Sequence, residues 1–166
     1  MNKIGEINLE NQIKIMDAFD FIEQFSAFTV SNIKEGLWFA FYENNEGEHD
    51  GIEHNREGEN VPTFFLIEEL YFEKSGDIET YMWQKNENII SIEKGAVGIY
   101  NHSLESDKVD NYYDNLDQAF SSKYQDGLKN QYIAFITPSG NDGSFAFDTV
   151  QENGKIVALR IVLEDI

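Results

Sequence analysis

The sequence predicts a mainly β protein: a β-rich α+β fold whose antiparallel sheets form a sandwich or a partly open barrel. Three observations carry that expectation. The 166 residues include 13 Phe and 8 Tyr, side chains that suit a pleated, half-buried surface. Short apolar runs alternate with clusters of Gly, Asn, Asp and Ser, which punctuate strands. One amphipathic helix is expected near residues 110–125, where apolar residues recur at helical spacing.

In chain order, Ile4 to Leu9 and Ile13 to Met16 read as two short strands broken at Glu10-Asn11. Asp17 to Glu23 fits either a loop or a turn of helix. Ala27 to Ser31 and Leu37 to Tyr42 suggest a hairpin across residues 32–36. In the second of these runs Trp38, Ala40 and Tyr42 share one face, and Leu37, Phe39 and Phe41 the other. Residues 43–61 are too polar to bury and read as a flexible acidic loop.

Pro62 begins a strand that runs to about Phe72. Ser75-Gly76-Asp77 turns it into a strand from Ile78 to Gln84, and Asn86-Glu87-Asn88 turns that into Ile89 to Ile92. Gly95 to Tyr100 is another strand. Val109, Tyr113, Leu116, Phe120 and Tyr124 then define the helix, with Asp110 or Asn111 as N-cap and Gly127 as its end.

The last part, Gln131 to Leu163, reads as a three-stranded meander. Its strands are Tyr132 to Ile136, a run alternating at Phe145, Phe147 and Thr149, and Ile156 to Leu163. Asn153-Gly154 is a type I′ hairpin signal. The final run is apolar on both faces apart from Arg160, as a central strand covered on both sides should be. The chain is expected to form a single domain, 1–166, large enough to bury roughly 70% of its unfolded surface.

Charge narrows the function. With 31 acidic against 12 basic residues, the formal net charge is −19. Nucleic acid and anionic membranes are poor partners for such a surface, because both require basic groups. No run reaches the roughly 18 apolar residues of a membrane span. The N-terminus shows no basic region followed by an apolar one, so a cytoplasmic location is expected. Without cysteine there is neither a disulfide nor a thiolate nucleophile.

Catalytic signatures are missing. Ser139 to Ser144 offers a hydroxyl and a carboxylate but no oriented histidine base. The histidines are His49, His54 and His102, and the first two lie in the acidic loop. His49, Asp50, Glu53 and His54 are competent ligand types, but their spacing matches no EF-hand. No phosphate loop, H-E-x-x-H or dinucleotide fingerprint is present. No catalytic residue, metal or cofactor is therefore expected. Trp83, Tyr81 and Tyr112 are candidate exposed anchors for a protein partner.

The order of the pieces resembles a bacterial family, the domain of unknown function 4241. Ile4-Gly5-Glu6-Ile7 matches its I-G-x-L opening, and Asp17-Ala18-Phe19 stands where the family has D-P-F. Gly36 to Phe41 fits its first aromatic strand. Gly95 to Asn101 fits the central G-T-G-x-F-x-D segment, with Asn101 in place of the Asp. Thr137 to Phe147 fits T-G-Y-G-D-G-S-Y-P-V with Asn141 inserted and Ala146 for proline, and Asn153 to Leu159 closes the match. The family is similar to small proteins encoded beside bacterial toxins, which implies an immunity role.

The leading expectation is thus an immunity protein that binds and neutralises a cognate protein toxin, a cationic one such as a nuclease. Its partner-binding residues would be Glu43, Glu46, Glu48, Asp50, Glu53, Glu57 and Glu59, with Glu68, Glu69 and Glu73 as a second acidic set. One alternative is an enzyme or small-ligand domain with a site near Asp142 and His102. Another is a structural or regulatory interaction module.

Overall fold

The computed structural model describes residues 2–22, 27–43, 63–93, 95–105, 109, 112–113, 124–127, 132–136 and 143–163. The elements follow the apolar runs closely at the N-terminus. Strands β1 (Asn2–Leu9) and β2 (Gln12–Asp17) flank the break at Glu10-Asn11. A 3-10 turn at Ala18–Asp20 follows, its start fixed by Asp17 Oδ1 accepting from Phe19 N at 3.0 Å. Next come β3 (Phe28–Ser31), β4 (Gly36–Glu43) and β5 (Thr63–Glu68). Helix α1 (Glu69–Ser75) and a 3-10 turn at Ile78–Thr80 lead to β6 (Gln84–Ile92). The rest is β7 (Ala96–Asn101), β8 (Tyr124–Gly127), β9 (Tyr132–Ile136), β10 (Gly143–Glu152) and β11 (Lys155–Val162).

The strands form two antiparallel sheets rather than a closed barrel. A six-stranded sheet has the order β1-β4-β5-β11-β10-β6, and a five-stranded one the order β3-β2-β7-β9-β8. They face each other across one apolar layer. Ile7, Trp38, Phe64, Phe147 and Ile161 of the larger sheet pack with Ile13, Ile15, Val30, Val97, Ile99 and Ile133 of the smaller. The Phe28 and Phe147 rings stack across the gap at 5.6 Å.

Both sheets also carry an apolar cluster on part of their outer faces. Behind the smaller sheet, Tyr100, Tyr132 and Met16 pack with Phe21, Val109 and Tyr112. Behind the larger one, Phe41, Phe65, Ile67, Val157 and Ala158 pack under α1 and the second 3-10 turn. Strand β11 is central, as its two-sided apolarity predicts. The β10–β11 turn has Asn153 at φ 54° and Gly154 at φ 79°, the two positive φ values of a type I′ turn.

Several expectations need correction. The hairpin of β3 with β4 does not form: β3 pairs with β2 in one sheet and β4 with β1 and β5 in the other. The connection crosses between sheets. Asn32 takes a positive φ of 63°, Ile33 makes a parallel bridge to Ile156, and Lys34 N donates to Ile156 O at 3.0 Å. The closing meander is likewise split, with β9 in the smaller sheet and the β10–β11 hairpin in the larger.

The helix expected near 110–125 is only partly helical among the described residues. Tyr112 and Tyr113 are helical, but Tyr124–Gly127 is β8, hydrogen-bonded to β9. Sheet pairing there overrides the four-residue spacing, and Tyr112 rather than Tyr113 is the buried member. Finally, the strand expected to run to Phe72 ends at Glu68 and becomes α1, while the turn expected at Asn86-Glu87-Asn88 lies inside β6. Residues 86–88 bulge opposite Phe147, since Ala146 pairs with Ile89 and Asp148 with Lys85.

Candidate partner-binding surface

The outer face of the six-stranded sheet can be built from its registers alone. Lys3 pairs with Phe41, Phe41 with Phe65, Phe65 with Arg160, Arg160 with Asp148, and Asp148 with Lys85. These six residues form one transverse row across all six strands. One residue along, the row Tyr42, Phe64, Ile161 and Phe147 points into the central core. Period-two alternation thus separates an inner row of uncharged aromatic and aliphatic side chains from an outer one of aromatics and charges.

Two of the three cations of the outer row, Lys3 and Arg160, sit on rings. Lys3 Nζ lies 3.9 Å from the Phe39 centroid and Arg160 Cζ 4.5 Å from that of Trp83. Arg160 Nε and Nη2 both donate to Asp148 Oδ2, at 2.9 and 2.6 Å. A charged residue on the central strand is tolerated because it is paired and stacked.

Helix α1 closes one end of this face. Glu68, 3% exposed, accepts from Leu70 N at 2.9 Å and Tyr71 N at 3.0 Å, and Lys34 Nζ donates to it at 3.1 Å. This is a carboxylate N-cap: it satisfies two otherwise free amides of the first turn. Glu69 in the first turn and Lys74 in the last complement the helix dipole, and Gly76 at φ 69° ends the helix. Phe72 then lies 5.9 Å from Phe39 and 5.0 Å from Phe41. Tyr71 meets Tyr81 edge-on at 5.0 Å, and Tyr81 lies 5.7 Å from Trp83.

The 3-10 turn is fixed by Asp77, whose Oδ1 accepts from Glu79 N at 3.0 Å. Trp83 Nε1 donates to Ile78 O at 3.2 Å. Burial, with the charges of Tyr71 and Asp77 adding to it, pushes the Tyr81 phenol up to about 12. Around this aromatic cap stand the exposed carboxylates Glu73, Asp77 and Glu79 and two exposed apolar side chains, Leu70 at 56% and Met82 at 81%.

The residues expected to bind a partner fare unevenly. Glu43 is not in a loop: it ends β4, half-buried and paired with Thr63. Glu46, Glu48, Asp50, Glu53, Glu57 and Glu59 lie outside the described residues, as do His49, His54, Ser139 and Asp142. Of the second acidic set, Glu68 is buried in the helix cap, so only Glu69 and Glu73 remain available. Tyr81 and Tyr112 are buried rather than exposed, and Trp83 is half-buried.

His102 is exposed just after β7, its backbone N–H donating to Gln12 O at 3.0 Å. The neighbouring Ser103 hydroxyl donates to Glu10 Oε2 at 2.5 Å, not to His102. Asn101 is a bracket: Nδ2 donates to Asn8 O at 2.7 Å and Oδ1 accepts from Glu10 N at 2.8 Å. Both halves of the amide are used, so an aspartate here would lose the donor that holds the β1–β2 corner. Ser144 is a half-buried residue of β10 facing Ser91. Among the described residues no group of three or more His, Asp or Glu side chains is placed to hold a metal ion, and no helix is long and apolar enough to cross a membrane.

The sequence hides the cap because Glu68-Glu69 falls inside a run that reads as one strand to about Phe72, and Ser75-Gly76-Asp77 reads as a turn between two strands. An acidic pair followed by Lys74 and Gly76 is a helix signature that would have found it. Set against known protein families, characterised proteins and solved structures, the chain finds no match.

Proposed function

We propose that the chain is a cytoplasmic immunity protein that binds and blocks a cognate cationic toxin, acting by occupation rather than catalysis. The observation that carries this reading is a net charge of −19 combined with exposed carboxylates standing beside exposed Leu70 and Met82 on an ordered cap. Carboxylates of this kind steer a basic partner and raise encounter rates by roughly 10 to 10³-fold. Apolar side chains beside them supply the contacts that slow dissociation. The resemblance of the glycine-bearing segments to the toxin-associated family points the same way.

The acidic segment 43–61 adds seven carboxylates to this field and acts on association. The test is protection: cells carrying a toxin gene found beside this one should survive when the chain is co-expressed. Binding of that toxin by the wild type and by a variant with Glu43, Glu46, Glu48, Asp50, Glu53, Glu57 and Glu59 changed to Gln or Asn is then measured at low and high salt. Slower association of the variant at low salt supports the reading. Equal association at low salt makes the segment a solvated bystander and leaves the cap as the steering surface.

A further inference from the structure

Among the described residues, Tyr81 Oη is the buried side-chain polar atom without a hydrogen-bond partner. Tyr81 is 7% exposed. A buried hydroxyl left unpaired is a standing cost to the fold, and phenylalanine would fill the same volume without it. The surroundings indicate what would satisfy it. The Tyr71 ring stands edge-on at 5.0 Å and Trp83 lies at 5.7 Å. Asp77 and Tyr81 bracket the same 3-10 turn, Asp77 as its N-cap and Tyr81 as its C-cap with the Tyr81 backbone N–H donating to Ile78 O at 3.2 Å. Asp77 is exposed; its Oδ1 caps the 3-10 turn, and Oδ2 makes no hydrogen bond among the described residues. The cations already beside these rings are engaged: Lys74, 5.8 Å from the Tyr71 centroid, is held by Glu152 at 2.7 Å, and Arg160, 4.5 Å from that of Trp83, is held by Asp148.

We infer that Tyr81 and Asp77 together receive a cationic side chain of the protein partner, an arginine in preference to a lysine; the inference rests on the reading proposed above. A guanidinium is planar and packs on aromatic rings, as Arg160 already does 4.5 Å from the Trp83 centroid. Its fork of donors can serve two acceptors at once, here the Asp77 carboxylate and the Tyr81 oxygen. Exposed Met82 is unbranched and adaptable, able to repack around an incoming group and shield it from water. Glu73 and Glu79, also exposed, favour the approach of a cation over that of an anion.

The two tryptophans provide a reporter and an internal control. Trp83 Nε1 donates to Ile78 O within the cap, whereas Trp38 Nε1 donates to Lys34 O at 2.9 Å and its ring is fully buried in the central core. N-acetyl-arginine amide is titrated into the full chain while both indole N–H signals are followed by NMR. Its uncharged counterpart, N-acetyl-citrulline amide, serves as the control. The arginine probe should shift Trp83 saturably and leave Trp38 in place, and the citrulline probe should shift neither.

Tyr81→Phe should weaken the arginine response about fivefold while leaving the thermal midpoint equal or higher. Asp77→Asn should weaken it about two- to fivefold. The inference is overturned if Trp83 does not respond, if both indoles move together, if Tyr81→Phe binds like the wild type, or if Tyr81→Phe melts lower. Protection assays keep the two readings apart. A wild type that protects cells although Trp83 ignores arginine refutes this niche alone, and a responsive Trp83 in a chain that gives no protection refutes the immunity role alone.

Discussion

Glu68→Ala is the perturbation that tests the construction of the cap. The carboxylate holds the Leu70 and Tyr71 amides at 2.9 and 3.0 Å and pairs with Lys34 at 3.1 Å from a site only 3% exposed. Loss of an N-cap costs about 1–2 kcal/mol. The buried methylenes that disappear add roughly 1 kcal/mol. The Lys34 pair contributes least, about 0.5 kcal/mol, because the ammonium side chain is 36% exposed and stays hydrated once released. The expected loss is therefore about 2–4 kcal/mol, and each kcal/mol lowers the melting midpoint of a chain this size by about 2–4 °C.

Urea denaturation of the wild type, Glu68→Ala and Glu68→Gln measures the total. Amide exchange at Leu70 and Tyr71 locates it. Glutamine keeps one acceptor but turns an N–H donor toward the helix amides, so it should fall between the other two. Lys34→Met should cost less than about 1 kcal/mol by the same argument. A Glu68→Ala loss under about 0.5 kcal/mol, with both amides still protected, would show that α1 is held by Phe72 packing and not by its cap.

Further outcomes follow from other parts of the fold. Gly98→Ala should cost about 2–3 kcal/mol in chemical denaturation, since its new Cβ would collide with the Tyr100 ring, which is fully buried and stacked on Phe21 at 4.2 Å. Asp148→Asn should cost about 1–2 kcal/mol by loosening the Arg160 fork from the oxygen that accepts both of its donors, and Trp83 fluorescence should change as Arg160 shifts. In alkali, Tyr81 keeps its proton to about 12, and burial pushes Tyr100 and Tyr112 higher still. The unfolded chain ionises the same residues near 10.0, so stability is full below that pH and is lost as pH rises toward 12 and beyond. Ultraviolet phenolate titration alongside thermal melts should show this loss; unchanged melting between pH 10.0 and 12 would contradict it.

Local features were legible in the sequence and long-range ones were not. The two faces of Leu37 to Tyr42, the positive-φ turn at Asn153-Gly154 and the central place of Ile156 to Leu163 each follow from a short stretch, because period-two alternation and turn chemistry are local. Sheet membership is not. Both sheets carry apolar side chains on both faces, so β3 and β4 look like hairpin partners although the positive φ of Asn32 and the Ile33–Ile156 bridge send the chain across the sandwich. The same two-sided apolarity disguised α1 as a continuation of β5. The sequence marks Tyr81 and Trp83 as candidate exposed anchors, with nothing local to say that Tyr81 is buried. Only the fold shows that Tyr81 is buried with an unpaired hydroxyl and that Asp77 caps the 3-10 turn leading into it.

The cap that carries the proposed contact is also the part of the larger sheet least able to stand alone. Helix α1 has seven residues, well short of the roughly 12–15 at which an isolated helix becomes even marginal. It is helical because Glu68 caps it and because Tyr71 and Phe72 lie on the outer aromatic row. The central core, by contrast, is closed on both sides by strands and does not depend on α1. Local opening of the cap should therefore precede global unfolding, and a partner that engages Tyr81 and Asp77 stabilises the cap selectively. Amide exchange at Leu70, Tyr71 and Glu79 would slow on binding while that of β11 stays as it was, because binding energy is felt first by the unit that opens most easily.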